Sequence, residues 1–375
     1  ANRRVWTMGI RGQGQVVTTS DSGILTTHNL HKHDTANTIP ISDFGDYPTH
    51  RKIIAYKKGS TSAAVTFGDH SSASWHGTHT AGTLVGNDDP ISTSPRDGMA
   101  KEGKIYFMDI GGATLGTGLS TFTDLNDLFL PAYTGNAGGA ARISSNSWGG
   151  TPLTAYTLNS MEVDQFIWSH PDFYIAFANG NAGPSVNTVA SPATAKSVAS
   201  MGGTQNGTNA GFIYTSTSRG SAADGRRKPT FCSPGQSVFS AVGPTNTGYA
   251  GLSGTSMATP SGTGAVVLMR QYLTDGWYPT GAAVPANGFT PSAALLKAMA
   301  INSADNAVSG FTAPDNNIGY GRVNADNVLY FTGDARKLLL VDNTAGLAHG
   351  QYLEYQINVV DTAVPLEVSL CWSDY

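Results

Sequence analysis

The chain has 375 residues, of which 40% are hydrophobic, 9% aromatic and 13% charged, and 45 are glycines. This composition is typical of a globular chain rich in tight turns, and it excludes the disordered and fibrous classes. The formal net charge of -4 disfavours a nucleic-acid partner, because no basic stripe is present to neutralise phosphates. No apolar run approaches the roughly 18 residues that a membrane helix needs.

In chain order, short β-branched runs alternate with longer amphipathic stretches, which favours a parallel sheet covered by helices. The predicted strands are 16–20, 104–109, 141–146, 173–178 and 197–201, and the predicted helices between them are 120–133 and 154–170. We assign residues 1–332 to one α/β domain, a doubly wound, mostly parallel sheet with helices on both faces. Active groups of such sheets gather just beyond the carboxyl ends of the strands.

After about residue 331 the pattern changes to alternating runs at 337–341, 352–360 and 366–372. Such runs are typical of antiparallel strands in a small β-sandwich, which we assign to residues 333–375. Three strands neither close a sandwich nor cap its edges, so we expect this domain to be incomplete and the chain to be truncated. Because Ala1 is not preceded by a basic-then-apolar leader, we also expect a processed, mature form.

The two cysteines, Cys232 and Cys371, are too few for a disulfide scaffold and lack metal-ligand spacing. The favoured interpretation is two separate buried thiols. A bond between them stays open as the alternative, because sequence does not show whether their Cα atoms approach.

Three segments carry candidate catalytic groups. Asp21 lies at the carboxyl end of the first predicted strand, His76 opens the stretch His-Gly-Thr-His-Thr-Ala-Gly, and Ser256 lies where glycine-rich chain enters an apolar helix. At a helix N-terminus, unpaired N–H groups and the helix dipole favour developing negative charge. Taken singly, each residue also fits an ordinary role, as a turn aspartate, an ordinary histidine or an N-cap serine.

These segments occur in the order Asp21, His76, Ser256. Two further motifs accompany them: Ser-Asn-Ser-Trp-Gly at 145–149 and Ala-Asn-Gly-Asn-Ala-Gly at 178–183. In this combination the chain resembles the subtilisin-like serine proteases, or subtilases. The order Asp, His, Ser is that of subtilisin itself. The resemblance extends from about residue 12 to residue 323. The runs that follow are similar to the C-terminal β-sandwich of some alkaline bacterial subtilases.

The resemblance implies a secreted, extracellular serine endopeptidase that needs no catalytic cofactor. Ser256 would be the nucleophile, His76 the base that takes its proton, and Asp21 the group that holds the imidazole in the required tautomer. The side-chain amide of Asn181 would lie in the oxyanion hole beside the N–H of Ser256.

The resemblance further implies that an extended peptide binds as an added strand. The residues implied to contact it lie in three stretches: Ser147, Trp148 and Gly149; Gly116 and Gly118; and Ala178, Asn179 and Gly180. The last stretch would line the pocket for the residue before the scissile bond. Trp148 fits the role of a core aromatic residue equally well.

The chain departs from the subtilase pattern at several positions. Trp75 stands before His76 where glycine is usual, the run 99–101 replaces one that ends in proline, and Thr230 stands where aspartate is common. Subtilases often hold structural calcium, and acidic residues occur at 87–89 and 315–317. Neither cluster has a definite ligand pattern, so solvated turns are favoured over calcium sites and the metal ligands stay unassigned.

Other functions are less consistent with these residues. His28, His31, His33 and Asp34 suggest a zinc site, but their spacing matches no common structural site and an exposed polar loop is favoured. An esterase of the α/β-hydrolase type needs Gly-x-Ser-x-Gly and the order Ser, Asp, His, whereas Ala258 occupies the last glycine position.

The remaining alternative is a catalytically silent, extracellular binding module with the subtilase fold. We expect protein or peptide substrates, a cleaved pro-segment, no nucleic acid, no membrane span and a monomer.

Overall fold

The computed structural model describes residues 3–70, 75–88, 94–112, 118–151, 153–359, 361–363 and 365–373, apart from the side chain of residue 307. The central feature is an eight-stranded sheet. Its strands are β1 (Val16–Asp21), β2 (Gly45–Asp46), β3 (Ile53–Lys58), β4 (Lys104–Asp109), β5 (Ile143–Asn146), β6 (Tyr174–Ala178), β7 (Ala199–Thr204) and β8 (Phe231–Pro234). Their order across the sheet is β2-β3-β4-β1-β5-β6-β7-β8.

All neighbouring strands of this sheet are parallel except β2, which is antiparallel to β3. The chain changes direction across the sheet at β1, which lies between β4 and β5. In open α/β sheets a crevice forms at such a switch point, beyond the carboxyl ends of the strands. Asp21 ends β1 and is therefore placed at that crevice.

The helices are α1 (Arg4–Thr7), α2 (His76–Val85), α3 (Asn126–Thr134), α4 (Leu158–Ser169), α5 (Thr255–Thr274) and α6 (Ala293–Asn302). Two antiparallel hairpins, β9 (Val238–Ala241) with β10 (Tyr249–Leu252) and β11 (Ala307–Val308) with β12 (Phe311–Thr312), lie outside the sheet. Among these residues, none of the helices combines the length and apolar character needed to cross a lipid bilayer.

The core forms where the sheet meets α5, which packs against β5, β6, β7, β8 and α2. Seventeen of the 20 residues of α5 are buried, including Val266, Val267 and Leu273. Strands β3, β4 and β6 are buried along most of their length and supply the facing aromatic residues Tyr56, Phe107 and Phe177. α5 is therefore buried on nearly every side, with small polar residues such as Thr259 and Thr263 among its buried positions. The predicted doubly wound α/β fold is confirmed.

The predicted C-terminal sandwich is not seen. Within 333–359, 361–363 and 365–373 the structure has no strand, and Tyr352, Val368 and Leu370 are at least three-quarters exposed. An alternating sequence becomes a strand only where a neighbour pairs with its backbone, and the described residues provide none in this segment. The segment instead packs locally, with Leu338 and Leu340 against the main core.

Candidate active site

Asp21 and His76 are in direct contact. Nδ1 of His76 lies 2.7 Å from Oδ1 of Asp21, and the Asp21 side chain is fully buried whereas that of His76 is 27% exposed. Two further groups hold the carboxylate: the N–H of Ser22 donates to Oδ1 at 2.8 Å, and the hydroxyl of Thr80 donates to Oδ2 at 3.0 Å. Thr80 lies one helical turn after His76, so α2 contacts the same carboxylate twice.

This contact requires a close approach between α2 and the turn that follows β1. A Cβ atom on Gly77 would lie 2.2 Å from the carbonyl oxygen of Gly23 and 3.1 Å from Cβ of Asp21. Only glycine leaves room for the helix there, because real Cβ contacts are longer than that. The small residue after His76 therefore sets the distance between the imidazole and Asp21.

Burial and charge act in opposite directions on His76. Burial lowers the pKa of the imidazole, but the carboxylate of Asp21, by charge and by hydrogen bond, and that of Asp69, by charge, outweigh it and raise the pKa above the usual 6.5. The charged imidazole is thus favoured by its surroundings, as a general base in hydrolysis requires when it takes a proton.

Ser256 is the second residue of α5 and is tied to the end of β5 by a reciprocal pair of hydrogen bonds. Its hydroxyl donates to the carbonyl oxygen of Ser147 at 2.9 Å, and the hydroxyl of Ser147 donates to the carbonyl oxygen of Ser256 at 2.7 Å. Pro260, four residues later in α5, has no N–H to offer that carbonyl. The hydroxyl of Ser147 therefore satisfies a carbonyl that the helix itself leaves unpaired.

Asn181 follows β6 and faces the start of α5. Its Oδ1 accepts from the N–H of Thr255 at 2.8 Å and from the hydroxyl of Thr255 at 3.1 Å. With the oxygen held in this way, the Nδ2 group is the end of the amide that remains to donate. The N–H of Ser256 belongs to the first turn of the helix, whose N–H groups have no partner within the helix. Two donors are therefore available beside the Ser256 hydroxyl.

One cleft of about 470 Å³ brings these groups together. Its lining includes Asp21, His76, Ser256 and Asn181, and of the residues implied for peptide binding it includes Ser147, Trp148, Gly149, Ala178 and Gly180. Trp148 also packs edge-on against Phe177, with 5.0 Å between ring centres, and donates to the hydroxyl of Ser20. Both expected roles of this tryptophan are therefore compatible with its position.

Two of the implied residues, Asn179 and Gly118, are not part of the lining. Asn179 is fully buried, and its Nδ2 donates to the carbonyl of Ser218 at 2.7 Å, so its side chain holds a residue that itself lines the cleft. Gly118 is exposed and outside the lining, where the adjacent Leu119 takes part instead. Gly116 lies outside the described residues.

Trp75, the departure before His76, has a left-handed backbone with φ 47° and ψ 53°. This is a conformation that glycine adopts without strain and a bulky residue does not. The indole ring packs on Gly243, where an added Cβ would lie 2.3 Å from a ring carbon. The contact links the start of α2 to the beginning of the connection between β9 and β10.

A sequence profile of the subtilase family matches residues 12–321, more than four-fifths of the chain and the whole of this cleft. The chain belongs to the subtilase family. Solved structures similar to this subtilase include the CspB protease of Clostridium perfringens, with a TM-score of 0.64 and 17% identity over 85% of this chain and 94% of that one. The prenylagaramide maturation protease PagA gives a TM-score of 0.60 and 19% identity over 87% and 96%. At these identities the two structures support the shared fold alone.

Among sequence relatives, the serine protease/ABC transporter B family protein tagD of Dictyostelium discoideum is 28% identical over 79% of this subtilase and 20% of its own length. The serine protease AprX of Bacillus subtilis strain 168 is 25% identical over 64% of this chain and 58% of its own length. The matched region thus spans about a fifth of the tagD protein.

The carboxylates of Asp88 and Asp315, in the two acidic clusters of this subtilase, have hydrogen-bond partners within the chain. Both oxygens of Asp315 accept hydrogen bonds from residues 317 and 318 of its own turn. Asp88 accepts from the hydroxyl of Tyr249 and faces Arg96, and residue 89 lies outside the described part. Across the described residues, no group of three or more His, Cys, Asp or Glu side chains is arranged to hold a metal ion.

Of the candidate zinc ligands, His28 and His31 are fully buried, so the expected exposed polar loop is wrong. Nε2 of His28 contacts the carbonyl of Gly248 at 2.8 Å, and Nδ1 of His33 accepts from the N–H of Arg51 at 3.1 Å. Cys232 and Cys371 are both free thiols, the first buried and the second partly buried. The favoured interpretation of two separate thiols agrees with the structure.

The sequence did not reveal four residues that support the site: Ser22, Asp69, Thr80 and Thr255. The role of Thr80 could have been predicted from its spacing, because it lies four residues after His76 and so on the same helical face. The role of Asp69 could not, since its partners are 47 and 9 residues away in sequence.

Proposed function

We propose that this subtilase is a secreted serine endopeptidase that hydrolyses peptide bonds of proteins through Asp21, His76 and Ser256. The observation that carries the proposal is the 2.7 Å contact between His76 and Asp21 in the same cleft as the Ser256 hydroxyl. A serine hydroxyl is a weak nucleophile at its free pKa, and a base oriented by a third group is what activates it.

In the proposed reaction, Nε2 of His76 takes the hydroxyl proton as Oγ of Ser256 bonds to the scissile carbonyl carbon. Asp21 keeps the Nδ1–H tautomer and stabilises the imidazolium that forms. His76 then gives the proton to the leaving amine, and the C–N bond breaks to leave an acyl-enzyme. Water attacks the ester by the same route, with His76 again as base, and releases the acid.

The negative charge on the tetrahedral oxygen would be met by Nδ2 of Asn181 and the N–H of Ser256. The position of Asn181 supports this role, because Thr255 holds the amide by its oxygen and leaves the donor end available. The positive end of the α5 dipole adds to the stabilisation.

The peptide would lie as an added strand along residues 147–149. Its N–H would take the carbonyl of Ser147, which now accepts from the Ser256 hydroxyl, and would so release that hydroxyl towards His76. The residues that form the pocket walls, Gly149, Gly180, Ala178 and Ala190, are small. Apart from the catalytic groups, no residue that lines the cleft within the described part of the chain is charged. An uncharged side chain before the scissile bond is therefore favoured over a basic or acidic one.

The chemistry needs no cofactor, and any structural calcium would bind away from Asp88 and Asp315, whose carboxylates already have partners within the chain. Secretion, a monomeric state and removal of an inhibitory pro-segment complete the proposal.

The test is labelling with a fluorophosphonate probe, which reacts with an activated serine, followed by peptide mapping and casein digestion on the same sample. Labelling at Ser256 together with casein cleavage is expected, and both should vanish in Ser256→Ala while its far-UV circular dichroism is unchanged. A folded sample that neither labels nor cleaves would refute the peptidase and favour the catalytically silent binding module.

A further inference from the structure

We propose that Asp69 is a positioning residue, which holds the helix that carries the base against the strand that carries Asp21. Its carboxylate joins Ser22, the residue after Asp21, to Thr78, which lies in the first turn of α2. This role rests on the proposed function, because it concerns the geometry of the same His76 and Asp21 pair.

The contacts form a closed circuit behind the catalytic groups. Oδ1 of Asp69 accepts from the hydroxyl of Ser22 at 3.1 Å, and Oδ2 accepts from the N–H and the hydroxyl of Thr78 at 2.9 and 2.7 Å. The hydroxyl of Ser22 in turn accepts from the N–H of Gly77 at 3.0 Å, and the N–H of Ser22 donates to Asp21. The helix that carries His76 and the turn that follows Asp21 are thus both bonded to the carboxylate of Asp69.

The start of α2 needs such a partner. The first N–H groups of a helix have no acceptor within it, and the side chain of Trp75, at the N-cap position, supplies none. Asp69 is 6% exposed and brings its negative charge from another segment to the positive end of the helix. A carboxylate at a helix N-terminus is favoured there, so the helix start and the carboxylate stabilise each other.

The charge of Asp69 also acts on the imidazole. Together with Asp21 it raises the pKa of His76 against the effect of burial. Other titratable groups on the packed elements include Asp109 at the end of β4, whose pKa burial raises to about 7 and which accepts from the hydroxyl of Tyr56 in β3. They also include His79 in α2, whose pKa burial lowers to about 4. Loss of Asp69 should therefore shift the titration of His76 to lower pH as well as loosen its placement.

The primary variant is Asp69→Asn, which keeps the shape of the side chain but removes its charge and turns one acceptor into a donor. The matched control is Asp164→Asn. Asp164 is a buried carboxylate that also accepts three hydrogen bonds, from the N–H groups of Lys196 and Ser197 and the hydroxyl of Tyr156, but it does not line the cleft. Both variants lose stability, so urea unfolding of each calibrates the structural part of the effect.

We expect kcat on a chromogenic peptide to fall about 10- to 100-fold in Asp69→Asn, since small misplacements of a base cost this much. KM should stay within about twofold because Asp69 lies outside the cleft lining. The acid limb of the kcat profile should move to lower pH. In Asp164→Asn all three quantities should match the parent enzyme.

Two further measurements keep the proposal testable if Asp69→Asn folds poorly or the enzyme does not turn over. Thr78→Val removes one hydrogen bond and keeps the charge, so it should lower kcat by less and leave the acid limb in place. An NMR titration of His76 in the Ser256→Ala background does not depend on turnover, and should show the lower pKa in Asp69→Asn only.

The positioning role is overturned if kcat and the His76 titration of Asp69→Asn match the parent, or if Asp164→Asn loses kcat equally. Where Asp69→Asn does not fold, a Thr78→Val enzyme with parental kcat overturns it. A parent that hydrolyses no peptide while its His76 titration still responds to Asp69 would instead refute the proposed function and support the role of Asp69.

Discussion

The hydrogen bond between the Ser147 hydroxyl and the Ser256 carbonyl, 2.7 Å long, exists because Pro260 cannot make the helical bond in its place. Ser147→Ala should therefore orphan a carbonyl in a largely buried place, at a cost of about 1 to 3 kcal/mol of unfolding free energy. In a Pro260→Ala background the new N–H at position 260 supplies the missing partner. There the same substitution should cost about 1 kcal/mol or less.

With the middle of that range, about 2 kcal/mol, the coupling between the two substitutions is about 1 kcal/mol or more, well above the few tenths found for independent sites. Urea unfolding of the four variants, all carrying Ser256→Ala to prevent self-digestion, measures it. The backbone entropy change of Pro260→Ala is common to both arms and cancels. Equal costs of Ser147→Ala with and without the proline would refute the reasoning.

Further predictions concern the catalytic groups and the response to pH. Gly77→Ala should lower kcat at least about 100-fold, because its Cβ would lie 2.2 Å from a backbone oxygen and must push α2 away from β1; the His76 NMR titration should change with it. Asn181→Ala should cost about 3 to 4 kcal/mol of transition-state stabilisation, read as kcat/KM, with unchanged far-UV circular dichroism. Activity needs neutral His76, so kcat/KM should fall as pH drops through a midpoint above 6.5, and a flat profile from about pH 8 to pH 5 would contradict the base assignment. Burial lowers the pKa of His50 to about 3 and of His79 to about 4, so both stay neutral when folded while the unfolded chain takes up protons below 6.5. Their contribution to stability is full above pH 6.5 and is lost as pH falls towards those values, by about 2 kcal/mol for each at pH 5; urea unfolding at pH 7.5 and pH 5 should show a smaller difference in His50→Asn.

The sequence predicted the strands of the sheet well where a β-branched run ended in a turn. The expected 104–109 coincides with Lys104–Asp109, and 16–20 differs from Val16–Asp21 by one residue. Helix α3 starts later than expected, at Asn126, because the preceding residues bond to other segments, as in the N–H of Leu125 to Glu162. The strand Ile53–Lys58 was missed, since a short apolar run does not by itself distinguish a buried strand.

For the site, motif resemblance located Asp21, His76, Ser256 and Asn181, and the structure brings all four to one cleft. The contacts that hold these residues in the cleft could not be predicted from the sequence. The link between Asn181 and Thr255 spans 74 residues, and such pairs are set by how the sheet and helices pack. The expected sandwich strands are not seen in the described residues for a related reason, because alternation in a sequence indicates which faces a strand would present but not what pairs with it.

The contact of Trp75 with Gly243 has a consequence for how these positions can vary. Gly243 leaves room for the indole of Trp75, so neither residue can change alone. Any side chain at position 243 would collide with the indole, and loss of the indole would leave a cavity next to Gly243. Substitutions there should be tolerated in pairs that exchange large for small. Positions 75 and 243 should therefore vary together. They join the start of α2 to the hairpin that leads to Ser256.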